Sequence, residues 1–374
     1  MNSKQKTCYM ITFHTPINYG AILQATALYK CLTNSFNLNT KIINFKTKKL
    51  KSAYPIIHFP KSIQGLKRFI LDILNIGNEI KKRKKFKKFV SQNLSLTKLF
   101  SCANSLSAEN LESDFLVTGS DQVFRPSRST EERSVFYLSF NNRSKYKFSY
   151  AGSFGGVQIE PCDVNLLKGY LSSFNRISVR EKSGLETIQN IGLSASLVLD
   201  PVFLLSKDEW SCLAEKRLKI KKKFILYYAL IDNSVYHHYV NCISKVLKLP
   251  VIVVGPIKNM PFKVYKNLKS CGPSEFISLV EQSSYVITSS FHGIAFSLIF
   301  KKHFFSLEED PVLKDRAEDL LKKIGIKYLS FKEFLELCKN NNQDYINYNI
   351  ASSKLSEQIS ESKNFITGCI YDNK

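Results

Sequence analysis

Tryptophan occurs once and methionine three times in 374 residues, and 31 acidic residues face 54 lysines and arginines. The shortage of acid leaves a formal charge of +23. A surplus of this size suggests a polyanionic partner (nucleic acid, an anionic membrane face or phosphorylated small molecules), or simply a solvated, lysine-rich surface. No two cysteines form a CxxC pair. The nine present (Cys8, Cys31, Cys102, Cys162, Cys212, Cys242, Cys271, Cys338 and Cys369) are scattered and odd in number. That argues against a zinc ribbon and a disulfide framework, and fits reduced thiols. Long hydrophobic runs are missing too. The uncharged stretch 285–300 is interrupted by five polar or histidine positions and a glycine, too short and too polar to span a bilayer. Residues 1–6 are polar and basic, and His14, Pro16 and Asn18 break the apolar run after them, so no secretory signal is read. These features predict a soluble, cytoplasmic chain, with attachment to the membrane face left open. HExxH, GxSxG, the Walker loop and GxGxxG are all absent, which leaves zincin, serine-hydrolase, P-loop and classical dinucleotide chemistry unsupported.

What is present is an alternation of short apolar runs with helical periods. Residues 8–13, 41–45, 115–117, 147–150, 176–179 and 197–199 read as strands. Ile22, Ala25, Leu28, Leu32 and Phe36 mark one face of a helix over 21–36. Residues 61–94 read as a strongly basic helix. A charged connection, 206–223, is the predicted domain boundary, after which the pattern restarts. Strands are expected over 224–230, 251–255, 285–288 and 303–307, and helices over 234–247, 274–283, 293–300 and 314–324. Strands joined by crossover helices imply parallel sheets covered on both faces, here two Rossmann-like α/β domains with ligands at the carboxyl ends of the strands.

Polar and glycine residues collect just after those strands. Asn18-Tyr19-Gly20 precedes the first helix, where a glycine lets backbone approach a ligand and a helix N-terminus favours an anion; an ordinary turn and cap explain it equally. Asp121, in Gly119-Ser120-Asp121-Gln122, reads as a general base or as a helix cap. Arg180 can clamp a phosphate or carboxylate, or pair with Glu181 at the surface. Asp200-Pro201 reads as a structural turn. The sharpest cluster is Ser289-Ser290-Phe291-His292-Gly293. It places an imidazole and small hydroxyls at a strand-to-helix switch, where the imidazole can donate a proton or bind a phosphate. His58, His237, His238 and His303 lie on helix flanks or among apolar residues.

Taken in order, these clusters resemble the polysaccharide pyruvyl transferase family. The pieces are residues 18–24, 119–122, 150–155 (Tyr-Ala-Gly-Ser-Phe-Gly), 178–181, Asp200-Pro201, 290–293 and 315–321, together spanning roughly residues 8–325. The resemblance implies a GT-B-like fold: two Rossmann-like domains facing a cleft, 1–205 on the acceptor side and 206–374 on the donor side, with a last helix over 351–366 returning to the first. It also implies transfer of pyruvate from phosphoenolpyruvate onto sugar hydroxyls as a ketal during bacterial surface-polysaccharide synthesis. His292 would be the general acid, Arg180 the holder of the donor's phosphate or carboxylate, and Asp121 the base for the attacking hydroxyl. Asn18, Tyr19, Gly20, Gln24, Ser120, Ser153, Ser289, Ser290, Gly293 and Arg316 would line the substrate sites. No metal or redox cofactor is needed in this scheme. The expected partners are phosphoenolpyruvate, a glycan or lipid-linked oligosaccharide acceptor, and an anionic membrane surface at the cytoplasmic face.

One departure stands out. Several pyruvyl transferases have Arg-Leu-His-Gly where this chain has Ser290-Phe291-His292-Gly293. Either a lysine or Arg316 replaces the missing cation, or the donor differs. Two other readings remain: a GT-B glycosyltransferase using a nucleotide-sugar, and a non-enzymatic nucleic-acid binder using residues 81–88. The last has only Phe86 and Phe89 among its lysines and no recognisable nucleic-acid-binding signature.

Overall fold

The structure is a computed structural model. It describes residues 5–48, 52, 55–57, 63–126, 128–157, 159–257, 260, 264–307, 311–340 and 345–372, without the side chains of 63–68, 311–313 and 315. His58, Lys49, Lys51 and the side chain of Asp315 therefore lie outside the described residues.

The chain divides into two compact units. The first comprises Met1–Pro55, Val90–Leu205 and Gln358–Lys374, and the second Ile56–Phe89 and Ser206–Glu357. A single break after residue 205 puts Ile56–Phe89 in the wrong unit; Gln358–Lys374 lies in the first unit, to which the last helix was expected to return. Most of the basic helix Ile63–Asn93 belongs to the second unit, where Lys85 pairs with Glu275 at 2.6 Å and Lys269 donates to Asn75 at 3.0 Å. The end of the last helix, Tyr348–Tyr371, belongs to the first unit, whose core takes in Ile366, Cys369 and Ile370.

In the first unit, seven strands form one parallel sheet: β1 (Thr7–Ile11), β2 (Asn39–Phe45), β3 (Leu96–Phe100), β4 (Leu111–Asp121), β5 (Asn142–Gly152), β6 (Ser178–Val179) and β7 (Ser196–Leu197). Their order is β3-β2-β1-β4-β5-β6-β7. Alternate residues feed two cores. Ile11, Ile43, Leu116 and Val179 point to one side, and Cys8, Met10, Ile42, Val117 and Phe148 to the other. The helix Tyr19–Lys30 covers the second side through Leu28 and runs on into a π-helical turn, Cys31–Ser35. The second unit repeats the plan with β8 (Ile225–Tyr228), β9 (Val251–Val254), β10 (Lys266–Asn267), β11 (Tyr285–Thr288) and β12 (His303–Ser306), in the order β10-β9-β8-β11-β12. The three central strands, β8, β9 and β11, are buried along their whole length, as a sheet covered on both faces requires. Ile225, Tyr227, Val253 and Ile287 pack beneath the helix Ser234–Leu247. On the other side Trp210 meets Phe296 edge-on at 4.8 Å, and Phe276 meets Tyr228 at 4.9 Å.

In each sheet the strand order reverses direction once, between β1 and β4 and between β8 and β11. Ligands of open α/β sheets bind outside the carboxyl ends of the strands at such a switch point. The candidate residues are found at those ends.

Candidate active site

In the first unit the carboxyl ends of β4 and β5 leave regular geometry together. Ser120, Asp121 and Ala151 have φ of 28°, 66° and 55°. Non-glycine residues adopt such values at a cost of about 1–3 kcal/mol each, and they cluster at functional sites. Here they are held by a dense polar cluster. Arg180 follows β6 with its side chain 4% exposed, and its guanidinium meets three carboxylates: Asp200 at 2.9 Å, Glu181 at 3.0 Å and Asp121 at 3.4 Å. It also donates to Ser120 Oγ at 3.2 Å. Burial works against the charge on Arg180, but Glu181, Asp200 and Asp121 outweigh it, and the net pKa shift is upward. Asp200 is fully buried and also accepts from Val202 N at 3.2 Å, capping the 3-10 turn Pro201–Leu204. Ser153 Oγ donates to Glu181 Oε1 at 3.0 Å and accepts from Gly155 N at 3.0 Å. Gly155 itself sits at φ 73°, a turn conformation in which a side chain would be strained.

This arrangement shows what Arg180 touches. Its guanidinium is engaged by three carboxylates inside the protein. Arg180 is the buried tie that orients the acids. Asp121, 29% exposed, is the one nearest solvent. A cavity of about 470 Å³ opens beside Glu181, lined also by Phe154, Ile159, Ser183 and Thr187. Its lining mixes polar and apolar side chains.

The first helix lies behind this cluster. Asn18 is its exposed N-cap, with Oδ1 accepting from Ala21 N at 3.2 Å. Tyr19, Gly20 and Gln24 are buried. Gln24 donates to Thr12 Oγ1 at 3.0 Å and to Ala21 O at 2.9 Å, and Thr12 Oγ1 donates to Ser120 O at 3.4 Å. Through Thr12, Gln24 braces the end of β4 from behind.

The second unit holds the histidine. His292 is the second residue of the helix Phe291–Ile299, which starts directly after β11 with Ser290 as N-cap. The entry is tightly bonded. Ser290 N donates to Thr288 Oγ1 at 3.1 Å, and Leu230 N donates to Ser289 Oγ at 3.1 Å. The Tyr228 hydroxyl bonds to Ser290, and burial pushes its pKa well up, so it stays protonated. Gly293 is required by contact: a Cβ there would stand 2.2 Å from Thr288 Oγ1. The missing side chain lets the helix start close against the strand, with its positive end at the switch point. The guanidinium of Arg316, on the helix Pro311–Lys323, lies over the Phe291 ring, its Cζ 3.5 Å from the centroid. His292 and Phe291 meet edge-on at 5.6 Å. A cation, an imidazole and a helix N-terminus therefore share one corner of this unit. The sequence pointed to His292 and Arg316. It gave no sign of Phe291 as a platform, because that role needs a partner 25 positions away.

Two Rossmann-like domains, each with chemistry-bearing residues at its switch point, define a two-domain α/β protein of GT-B-like architecture. A structure described as a UDP-N-acetylglucosamine 2-epimerase from Listeria monocytogenes shares this fold over 100% of this chain and 98% of its own, with 10% identity and a TM-score of 0.53. The S. aureus MnaA–UDP structure does so over 98% and 96%, with 12% identity and a TM-score of 0.51. The chain belongs to the polysaccharide pyruvyl transferase family, whose model matches residues 18–311. That family is one of transferases. No curated protein sequence is significantly similar to this one. Among the described residues no helix is long and apolar enough to cross a membrane.

Proposed function

We propose that the protein transfers pyruvate from phosphoenolpyruvate to two hydroxyls of a sugar, forming a ketal on a glycan or lipid-linked oligosaccharide during surface-polysaccharide synthesis. Family membership supports the transferase class. The observation that carries the donor assignment is the Arg316 guanidinium stacked on Phe291 beside His292. The guanidinium lies over the Phe291 ring within cation–π distance, which fixes a positive charge beside His292 where a carboxylate or phosphate would be attracted. Ser290-Phe291 in place of Arg-Leu thus moves the cation rather than losing it: the ring that replaces leucine is the platform for Arg316.

In this reading the N-terminus of the helix Phe291–Ile299 and Arg316 hold the donor's anionic groups. His292 protonates the methylene carbon of the enol, which becomes the ketal methyl group and leaves a cationic carbon next to the carboxylate. One sugar hydroxyl adds there as a base takes its proton; among the acids of the first unit, Asp121 is the candidate, being the one nearest solvent. Phosphate leaves with its C–O bond electrons, and the second hydroxyl closes the ketal. One of the two hydroxyl protons balances the proton given to carbon, and the other departs with hydrogen phosphate. Arg180 is a positioning residue for Asp121, and the cavity beside Glu181 takes the acceptor.

The test is release of inorganic phosphate from phosphoenolpyruvate with oligosaccharide acceptors. His292→Ala should lower kcat by about 10²–10⁴-fold, the usual worth of a general acid. Unchanged turnover in that variant would overturn the assignment. The S. aureus neighbour was solved with UDP, so a nucleotide-sugar donor is the second reading. Thermal stabilisation by a UDP-sugar and not by phosphoenolpyruvate would favour it.

A further inference from the structure

The helix Ile63–Asn93 has an outward face that the rest of its unit leaves uncovered. Leu74 is 72% exposed, Ile70 51%, Ile73 46% and Ile80 39%. With Gly77 they recur at intervals of three and four, which places them on a single stripe. The same stripe continues through Lys81, Lys84 and Lys88, all exposed. The opposite side is anchored in protein: Phe86 and Phe89 are 2% and 3% exposed. The two acids of this stretch, Asp72 and Glu79, fall off the stripe, and Glu79 is paired with Arg83 at 2.8 Å. The result is an apolar ridge about 15 Å long, followed by a ridge of lysines with no carboxylate among them.

We infer that this face docks on an anionic phospholipid bilayer. The ridge Ile70–Ile80 sinks to the level of the acyl-chain boundary while Lys81, Lys84 and Lys88 lie on the headgroup phosphates. Interfacial helices bind through this combination of buried apolar area and basic charge. The charge decides between occupants. A second copy of the chain would bring the same lysine rows together, or set them on its partner's apolar ridge, whereas an anionic lipid surface complements both halves at once. The helix is anchored by Phe86 and Phe89, so no ordering of the segment is required for it to bind. The inference does not depend on the reaction proposed above.

The test is co-sedimentation of the full-length protein with phosphatidylcholine–phosphatidylglycerol vesicles and with phosphatidylcholine alone. The protein should bind the anionic vesicles, release with rising salt, and bind neutral vesicles weakly. Combining Lys81→Gln, Lys84→Gln and Lys88→Gln should weaken binding on the order of a hundredfold, from about fivefold for each lysine. Combining Ile73→Asp with Leu74→Asp should abolish it. Both variants alter exposed positions, so their melting temperatures should stay near wild type, and so should phosphate release on a soluble acceptor. Failure of wild type to bind anionic vesicles, or equal binding by both variants, overturns the inference. So does a wild-type dimer that Leu74→Asp converts to monomer without any vesicle binding. Loss of phosphate release with vesicle binding intact would count against the proposed reaction and leave the docking face standing.

Discussion

Replacing Arg180 by methionine separates a buried organiser from a substrate clamp. The substitution keeps an unbranched side chain, shorter by the end of the guanidinium, and removes its charge. Asp200 is then left fully buried without its guanidinium partner, while Val202 N still donates to it at 3.2 Å. Glu181 keeps Ser153, and Asp121 reaches solvent, so Asp200 carries most of the penalty. Breaking one side of a buried ion pair costs about 3–5 kcal/mol. The expected loss is therefore about 3–4 kcal/mol, large for a single change. Trp210 lies in the other unit, so its fluorescence would miss the event. Urea unfolding followed by circular dichroism, with hydrogen exchange on β4–β6, would register it. Adding Asp200→Asn removes the stranded charge, and the double variant should regain at least half of the loss, a coupling that independent sites do not show. If Arg180→Met unfolds within about 1 kcal/mol of wild type while KM for phosphoenolpyruvate rises steeply, the ion-pair argument is wrong and Arg180 is a donor ligand.

Three further outcomes follow from particular contacts. Gly293→Ala puts a methyl 2.2 Å from Thr288 Oγ1 and 2.7 Å from its Cγ2. It should cost about 1–3 kcal/mol, partly offset by alanine's better helix propensity, and Trp210 fluorescence in the same unit reads it. Arg316→Leu should raise KM for phosphoenolpyruvate by about 10–100-fold, the worth of a charge-assisted hydrogen bond. Phe291→Leu should have a smaller effect of the same kind, and steady-state kinetics ranks the two. Lys145 and the Thr7 backbone N–H, which bonds to Asp114 at 2.8 Å, hold the Asp114 carboxyl down to about 2, from a usual 3.8. Because its folded pKa is depressed, its contribution is fully present above pH 3.8 and fades as pH falls towards 2. Asp114→Asn should therefore destabilise the protein at pH 7 and have little effect at pH 2, as thermal melts at the two pH values would show.

The second unit was the more legible in sequence. Residues 285–288 and 234–247 match their strand and helix, because a buried parallel strand is a continuous apolar run and that helix opens on an Asn233 cap. The first unit was harder to read. β4 and β5 run for 11 residues each, although only their apolar ends read as strand; Asp114 and Lys145 in their polar halves pair across the two strands at 2.8 Å. β3 and the helix Pro161–Leu171 were not read at all. The exchange of Ile56–Phe89 and Gln358–Lys374 between units rests on contacts such as Lys85 with Glu275 and Leu199 N with Ser362 Oγ, which join residues more than 160 positions apart. No local pattern encodes them. At the sites, residue types and positions after strands were visible, but which acid Arg180 meets was not. The plain pairing of Arg180 with Glu181 proved real, in the interior and with two more carboxylates added.

The central claim is that the corner formed by His292, Phe291 and Arg316 holds phosphoenolpyruvate. Calorimetric titration of the full-length protein with phosphoenolpyruvate and with a UDP-sugar, repeated on Arg316→Leu, tests it most directly. Binding of phosphoenolpyruvate that Arg316→Leu weakens at least tenfold, with no binding of the UDP-sugar, is the expected result. Binding of the UDP-sugar with none of phosphoenolpyruvate, or phosphoenolpyruvate binding indifferent to Arg316, would contradict it.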